Sequence, residues 1–109
     1  LDHVQPGMPA FDEELFGPVF AIVRVSNAEE ALKLANQTQF GLGGSVWTGD
    51  PAQGEALTRQ IHAGCTFVNG IVKSDPRLPF GGIKDSGYGR ELSYHGIREF
   101  VNIKTIWIR

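Results

Sequence analysis

Between Phe20 and Val68 the chain alternates short apolar runs with stretches of helical spacing, an order that few folds accept. Phe20 to Val25 is rich in apolar and β-branched residues, as suits a strand buried on both faces. Ser26 and Glu29 form a capping-box pattern, and Ala28, Ala31, Leu32 and Ala35 then recur at helical spacing until Gly41, Gly43 and Gly44 end the segment. Ser45 to Thr48 reads as a second strand. Asp50 offers an N-cap with Pro51 at the first helical position, and Ala52, Ala56, Leu57 and Ile61 carry an apolar stripe to a stop at Gly64. Cys65 to Val68 is a third strand. The order strand, helix, strand, helix, strand implies an α/β fold: a parallel sheet with right-handed crossovers and flanking helices.

The remainder is less regular. From Asn69 to Arg90, Pro76, Pro79 and five glycines exclude any long element, and a loop of about twenty residues is usually functional or disordered. A short helix is expected around Leu92 to Phe100. A last strand follows over Val101 to Ile108, with Val101, Ile103, Thr105 and Trp107 on one face and Asn102, Lys104, Ile106 and Ile108 on the other. Apolar residues on both faces of a strand with nothing after it to cover them form a template for pairing, which predicts self-association.

A length of 109 residues suits one compact unit, or part of one, and is small for a complete enzyme. The chain starts at Leu1 and has its single Met at position 8, which suggests a piece of a longer protein. Ten basic and twelve acidic residues give a net charge of -2 with no basic cluster, so nucleic acid is not an expected partner. No apolar run reaches the roughly 20 residues of a membrane span, and the first residues do not resemble a signal peptide. A soluble, cytoplasmic protein is expected. The single cysteine, Cys65, cannot form an internal disulfide.

Few side chains suggest chemistry by themselves. Glu14 and Phe16 sit two residues apart, so on an extended chain they project from one side, where a carboxylate can accept from vicinal hydroxyls and a ring can pack on a flat heterocycle. The same residues also read as a solvated acidic turn followed by a core Phe. Gly81, Gly82, Gly87 and Gly89 permit unusual backbone angles, yet their spacing matches neither a dinucleotide fingerprint nor a P-loop, and a tight surface loop accounts for them too. Gly41 to Gly44 follows a helix and precedes a strand, the reverse of the dinucleotide-binding order, and reads as a turn. Cys65 lies in an apolar strand with no adjacent cation, which suits a small buried hydrophobe better than a nucleophile. His3, His62 and His95 lack the spacing of a metal site, so no metal is expected.

Two stretches, Glu13-Glu14-Leu15-Phe16-Gly17-Pro18-Val19 and Pro79-Phe80-Gly81-Gly82-Ile83-Lys84-Asp85-Ser86-Gly87-Tyr88-Gly89-Arg90-Glu91, resemble the C-terminal part of the aldehyde dehydrogenase superfamily. The resemblance runs from about Leu1 to Arg109, and the loop from Asn69 to Phe80 is similar to that of succinate-semialdehyde dehydrogenases. It implies an NAD- or NADP-dependent oxidation of a small aldehyde to an acid. Residues 1 to 99 would be the last part of the catalytic domain, and residues 100 to 109 an oligomerisation strand that reaches a second copy. The family's thiol nucleophile, general-base glutamate and Rossmann domain would lie upstream of Leu1. The isolated chain is therefore expected to be inactive, with no catalytic residue of its own.

The resemblance further implies that Glu14 binds the nicotinamide ribose and that Phe16 flanks the nicotinamide. Phe80 would line the aldehyde tunnel, and Glu91 would lie near a path for protons. Ser74 would help hold the distal carboxylate of the substrate, where Lys73 and Arg77 could add positive charge. Two other readings stay open: a non-catalytic assembly module, and a reductase of acyl phosphates or acyl thioesters from the same superfamily.

Overall fold

The computed structural model describes all 109 residues, Leu1–Arg109. Its centre is a βαβ unit made of β2 (Gly43–Val46), α3 (Pro51–Thr58) and β3 (Cys65–Val68). Strands β2 and β3 pair in parallel with Gly43 opposite Cys65 and Val46 opposite Val68, as the alternation of elements requires. Helix α3 packs on both strands through Gly54, where an added Cβ would lie 2.7 Å from Val68 Cγ1 and 2.8 Å from Thr48 Cγ2. That close approach explains a glycine inside a helix, where it otherwise weakens the element.

Asp50 caps α3, its Oδ1 accepting from Ala52 N at 3.0 Å and Gln53 N at 3.2 Å. The helix ends at Thr58 rather than running to Gly64. Asn36 draws the next backbone groups away from a helical path: its Nδ2 donates to the Gln60 carbonyl (2.8 Å) and its Oδ1 accepts from His62 N (2.7 Å). Asn36 belongs to α2 (Ala28–Gln37), so the same two bonds fasten α2 to the turn before β3.

Helix α2 starts one residue later than the capping-box pattern predicts. Asn27 is the N-cap and accepts from Glu30 N at 2.8 Å, while the Glu30 carboxylate accepts from both Ser26 N (2.8 Å) and Ser26 Oγ (2.6 Å). Asn is as good a cap as Ser, and choosing it puts Glu30 at the third helical position, from which it can reach back.

The expected strand over Phe20 to Val25 does not join this sheet. It is extended beside the first residues of the chain, which take up its backbone groups: the Leu1 amine donates to Phe20 O (2.7 Å), Ile22 N to Leu1 O (2.8 Å) and Val4 N to Ile22 O (3.0 Å). Arg24 closes the pair on the Asp2 carboxylate at 2.7 and 3.0 Å. A one-turn helix, α1 (Pro9–Asp12), follows those residues.

A second small sheet, absent from the sequence reading, pairs β1 (Phe40–Gly41) with β4 (Ile83–Lys84) antiparallel. It brings the glycine-rich segment against the end of α2. Gly64 seals that contact, since a Cβ there would sit 1.7 Å from the Gly81 carbonyl oxygen. Helix α4 (Ser93–Glu99) lies close to its expected bounds, and past it residues 101 to 109 are all exposed and form no regular element within this chain.

The whole is elongated, with extents of 65 × 32 × 24 Å and a radius of gyration of 17.5 Å, against about 13 Å for a compact chain of this length. Its surface is 8632 Å², where a compact monomer of this mass exposes about 5,900 Å². Among apolar side chains larger than glycine, only Val4 is buried. These residues therefore hold their shape mainly through hydrogen bonds and paired elements, with little enclosed core.

Candidate functional site

The residues singled out above fall on three segments. Glu14 is exposed on extended chain, no side-chain hydrogen bond or ion pair occupies its carboxylate, and it borders an open groove with Phe40, Leu42, Asp85 and Ser86. The N-terminal segment thus meets the β1–β4 sheet there. Phe16 lies outside that groove and is 94% exposed, its ring uncovered rather than part of a core. A different, polar cleft lies between residues 3 to 6 and Val23, Arg24, Glu30 and Leu34, and no nominated residue lines it.

Phe80 and Glu91 are brought together. Each donates its N–H to the other's carbonyl, at 2.9 and 2.8 Å, so they close residues 81 to 90 into a loop with Phe80 half-buried and Glu91 exposed. Inside this loop most polar groups are already engaged. Arg90 donates from one guanidinium nitrogen to the carbonyls of Gly82 (2.9 Å) and Gly89, and Ser86 Oγ accepts from Gly41 N at 3.0 Å. Lys84 Nζ donates to Asn36 O (3.0 Å) and Thr38 O (2.9 Å), two carbonyls at the C-terminal end of α2 that the helix itself cannot satisfy. The glycines therefore shape a braced loop around Phe80. Tyr88, at its tip, is fully exposed.

Ser74 is exposed, with no hydrogen bond from its hydroxyl to the rest of the chain. Its charged neighbours lie at the surface. Arg77 is held by Asp75, whose carboxylate accepts from Arg77 N (2.9 Å), Nε (3.0 Å) and a terminal guanidinium nitrogen (2.7 Å). That guanidinium holds the Asp75 carboxyl well below the usual carboxylate range. Arg77 is thereby paired with Asp75 at the surface, whereas Lys73 is exposed with no ion-pair partner.

Cys65 is half-buried, and its thiol donates to the Leu42 carbonyl at 3.2 Å. Burial pushes the thiol pKa up, with a smaller opposing pull from Arg90. It stays protonated at neutral pH and is a poor nucleophile. No three His, Cys, Asp or Glu side chains come together to hold a metal ion, and no helix is long and apolar enough to cross a membrane.

Asn69, Lys84, Asp85 and Arg90 organise this region and none was singled out from the sequence. Asn69 offered the clearest signal, an Asn-Gly pair at the end of a strand pattern. Lys84 acts on carbonyls more than forty positions away, and Asp85 through its backbone N–H on Gln39 O, roles with no local signature, while Arg90 braces the carbonyls of its own loop.

Residues 1–106 match the aldehyde dehydrogenase family model. Over 108 residues the chain is 56% identical to the "Probable succinate-semialdehyde dehydrogenase" of Synechocystis, a protein assigned to NADP(+), covering 99% of this chain and 24% of that protein. An aldehyde dehydrogenase of Paenarthrobacter nicotinovorans is 53% identical, with 98% of this chain and 23% of the relative covered. Among solved structures, the succinic semialdehyde dehydrogenase of Streptococcus pyogenes in complex with NADP+ superposes with a TM-score of 0.93 at 43% identity, covering 98% of this chain and 24% of that one. The chain spans about a quarter of the length of these relatives, and along nearly all of its own length it belongs to the aldehyde dehydrogenase family.

Proposed function

We propose that this chain forms part of an NAD(P)-dependent enzyme oxidising a short, carboxylate-bearing aldehyde such as succinate semialdehyde to the acid. The reading is carried by the likeness to succinate-semialdehyde dehydrogenases over 99% of the chain, together with a Glu14 carboxylate that has no partner within the chain. Bound NAD(P)+ supplies the hydride acceptor. The available residues suit such a group: Glu14 has free oxygens for the two ribose hydroxyls, and Phe16 offers an open ring face for the nicotinamide.

The remaining assignments follow from the same likeness. Phe80, held by its pairing with Glu91, gives an apolar wall for the aldehyde, and the exposed Glu91 carboxylate is placed where it can exchange protons with water. The Ser74 hydroxyl donates to the substrate carboxylate, with Lys73 as the nearby free cation. These are binding and positioning roles. Its only thiol is protonated and bonded to a backbone carbonyl, so the 109 residues lack a nucleophile of their own.

An assembly role for residues 100 to 109 accompanies this reading. Trp107 and Ile108 are 86% and 88% exposed on a segment with no regular pairing, which favours a neighbouring chain as their cover.

The test uses a chimera in which residues 1–109 replace the matching segment of the Synechocystis relative. The isolated 109 residues show no turnover with succinate semialdehyde and either cofactor, while the chimera is active. Glu14→Gln in the chimera weakens NADP+ binding about tenfold, in line with lost hydrogen bonds to a charged acceptor. Unchanged cofactor affinity removes the ribose assignment.

A further inference from the structure

The loop that carries Ser74 leaves the sheet at a residue whose backbone is unusual for a side chain of its size. Asn69 has φ of +51°, in the left-handed region that Asn tolerates better than most residues. Three hydrogen bonds hold it there. Asn69 N donates to Val46 O (2.8 Å), its Nδ2 donates to Thr48 O (2.9 Å), and its Oδ1 accepts from Thr48 N (2.8 Å). The carboxamide thereby adds a rung to the β2–β3 ladder after the paired backbones stop at Val46 and Val68. Thr48 is itself fixed, its Oγ1 accepting from Asp50 N at 3.1 Å just before α3.

Beyond Asn69 the loop makes one backbone hydrogen bond to the rest of the fold, from Ser93 N to Pro76 O at 3.0 Å, and the Val72 side chain packs against Gly43 of β2. Ser74 lies between these two tethers and makes no bond itself. The direction in which residues 70 to 79 leave the sheet is thus set at one end by the Asn69 side chain.

We propose that Asn69 is a positioning residue for substrate choice: its latch on Thr48 sets the path of the loop and so the place of the Ser74 hydroxyl. The proposal rests on the substrate reading given above. Selection of an acidic aldehyde then depends on a side chain that does not touch it.

The chimera tests this with Asn69→Gly, Asn69→Asp and Ser74→Ala, each assayed with succinate semialdehyde and with butanal, an uncharged aldehyde of the same chain length. Asn69→Gly accepts the positive φ but loses both carboxamide bonds. It raises KM for succinate semialdehyde about tenfold, the scale of one misplaced hydrogen bond to a charge, with kcat and the KM for butanal little changed. Asn69→Asp keeps the acceptor for Thr48 N but turns a carboxylate oxygen toward Thr48 O, so its effect is no smaller. If Asn69→Gly does not fold, as judged by thermal unfolding, Asn69→Asp supplies the same ratio. A ratio of the two KM values equal to that of the parent chimera overturns the proposal, whatever Ser74→Ala does. If Ser74→Ala leaves the ratio unchanged while the Asn69 variants shift it, the Ser74 assignment falls, and with it the proposal that the latch acts through the Ser74 hydroxyl.

Discussion

The two halves of the long connection between β3 and α4 are built differently. Residues 80 to 91 are braced at every few positions: by the Phe80–Glu91 pair, by β4 on β1, by Asp85 N on Gln39 O, by Ser86 on Gly41, and by Lys84 on the end of α2. Residues 70 to 79 have the Asn69 latch at one end, the Val72 side chain against Gly43, one backbone bond at Pro76, and the local Asp75–Arg77 and Leu78–Asp75 bonds. A braced segment can keep an apolar wall such as Phe80 in place at little cost in ordering when a ligand arrives. A lightly held one can vary in sequence without disturbing the fold, which suits the role in substrate choice proposed for Ser74.

The contrast can be broken most severely at Gly64. Gly64→Ala puts a methyl group 1.7 Å from the Gly81 carbonyl oxygen, a backbone atom with no room to give, and is expected to cost the chimera about 3 kcal/mol or more in thermal unfolding while loosening residues 80 to 91. A melting temperature equal to that of the parent chimera refutes the close packing of these two backbones. Lys84→Met has a milder effect. It removes two bonds to the carbonyls of α2 and is expected to cost about 1 kcal/mol, measured by urea unfolding, with Lys84→Arg restoring much of it.

The smallest change is expected in the open half. Arg77→Gln breaks an exposed pair with Asp75, so its effect on melting temperature at neutral pH is slight. Because Asp75 titrates lower in the folded than in the unfolded state, what the pair contributes is present above about pH 4 and fades as the pH falls through the folded value. Melting curves of Arg77→Gln and the parent chimera should therefore converge in acid. A gap that widens there contradicts the pairing.

Much of the central unit was legible. Asp50-Pro51 located the start of α3, the apolar run Cys65 to Val68 matched β3 residue for residue, and the Glu13-to-Val19 and Pro79-to-Glu91 stretches pointed to the family. Misread elements share a cause. Strands β1 and β4 are two residues each, too short to show any periodicity, and their pairing depends on backbone approach at Gly41 and Gly64. Phe20 to Val25 has the composition of a buried strand, yet composition does not name a partner, and the first four residues supplied the hydrogen bonds instead. Nothing in Ser-Asp-Pro-Arg shows that the carboxylate two residues back turns onto Arg77.

The Lys84 ammonium joins regions that are 46 and 48 positions apart in sequence. Fraying of the last turn of α2 releases this side chain, and β4 then loses one of its holds on the same corner. Amide hydrogen exchange should accordingly find the end of that helix and the strand opening as one cooperative unit, so that a disturbance near Gln37 is felt in the loop around Phe80.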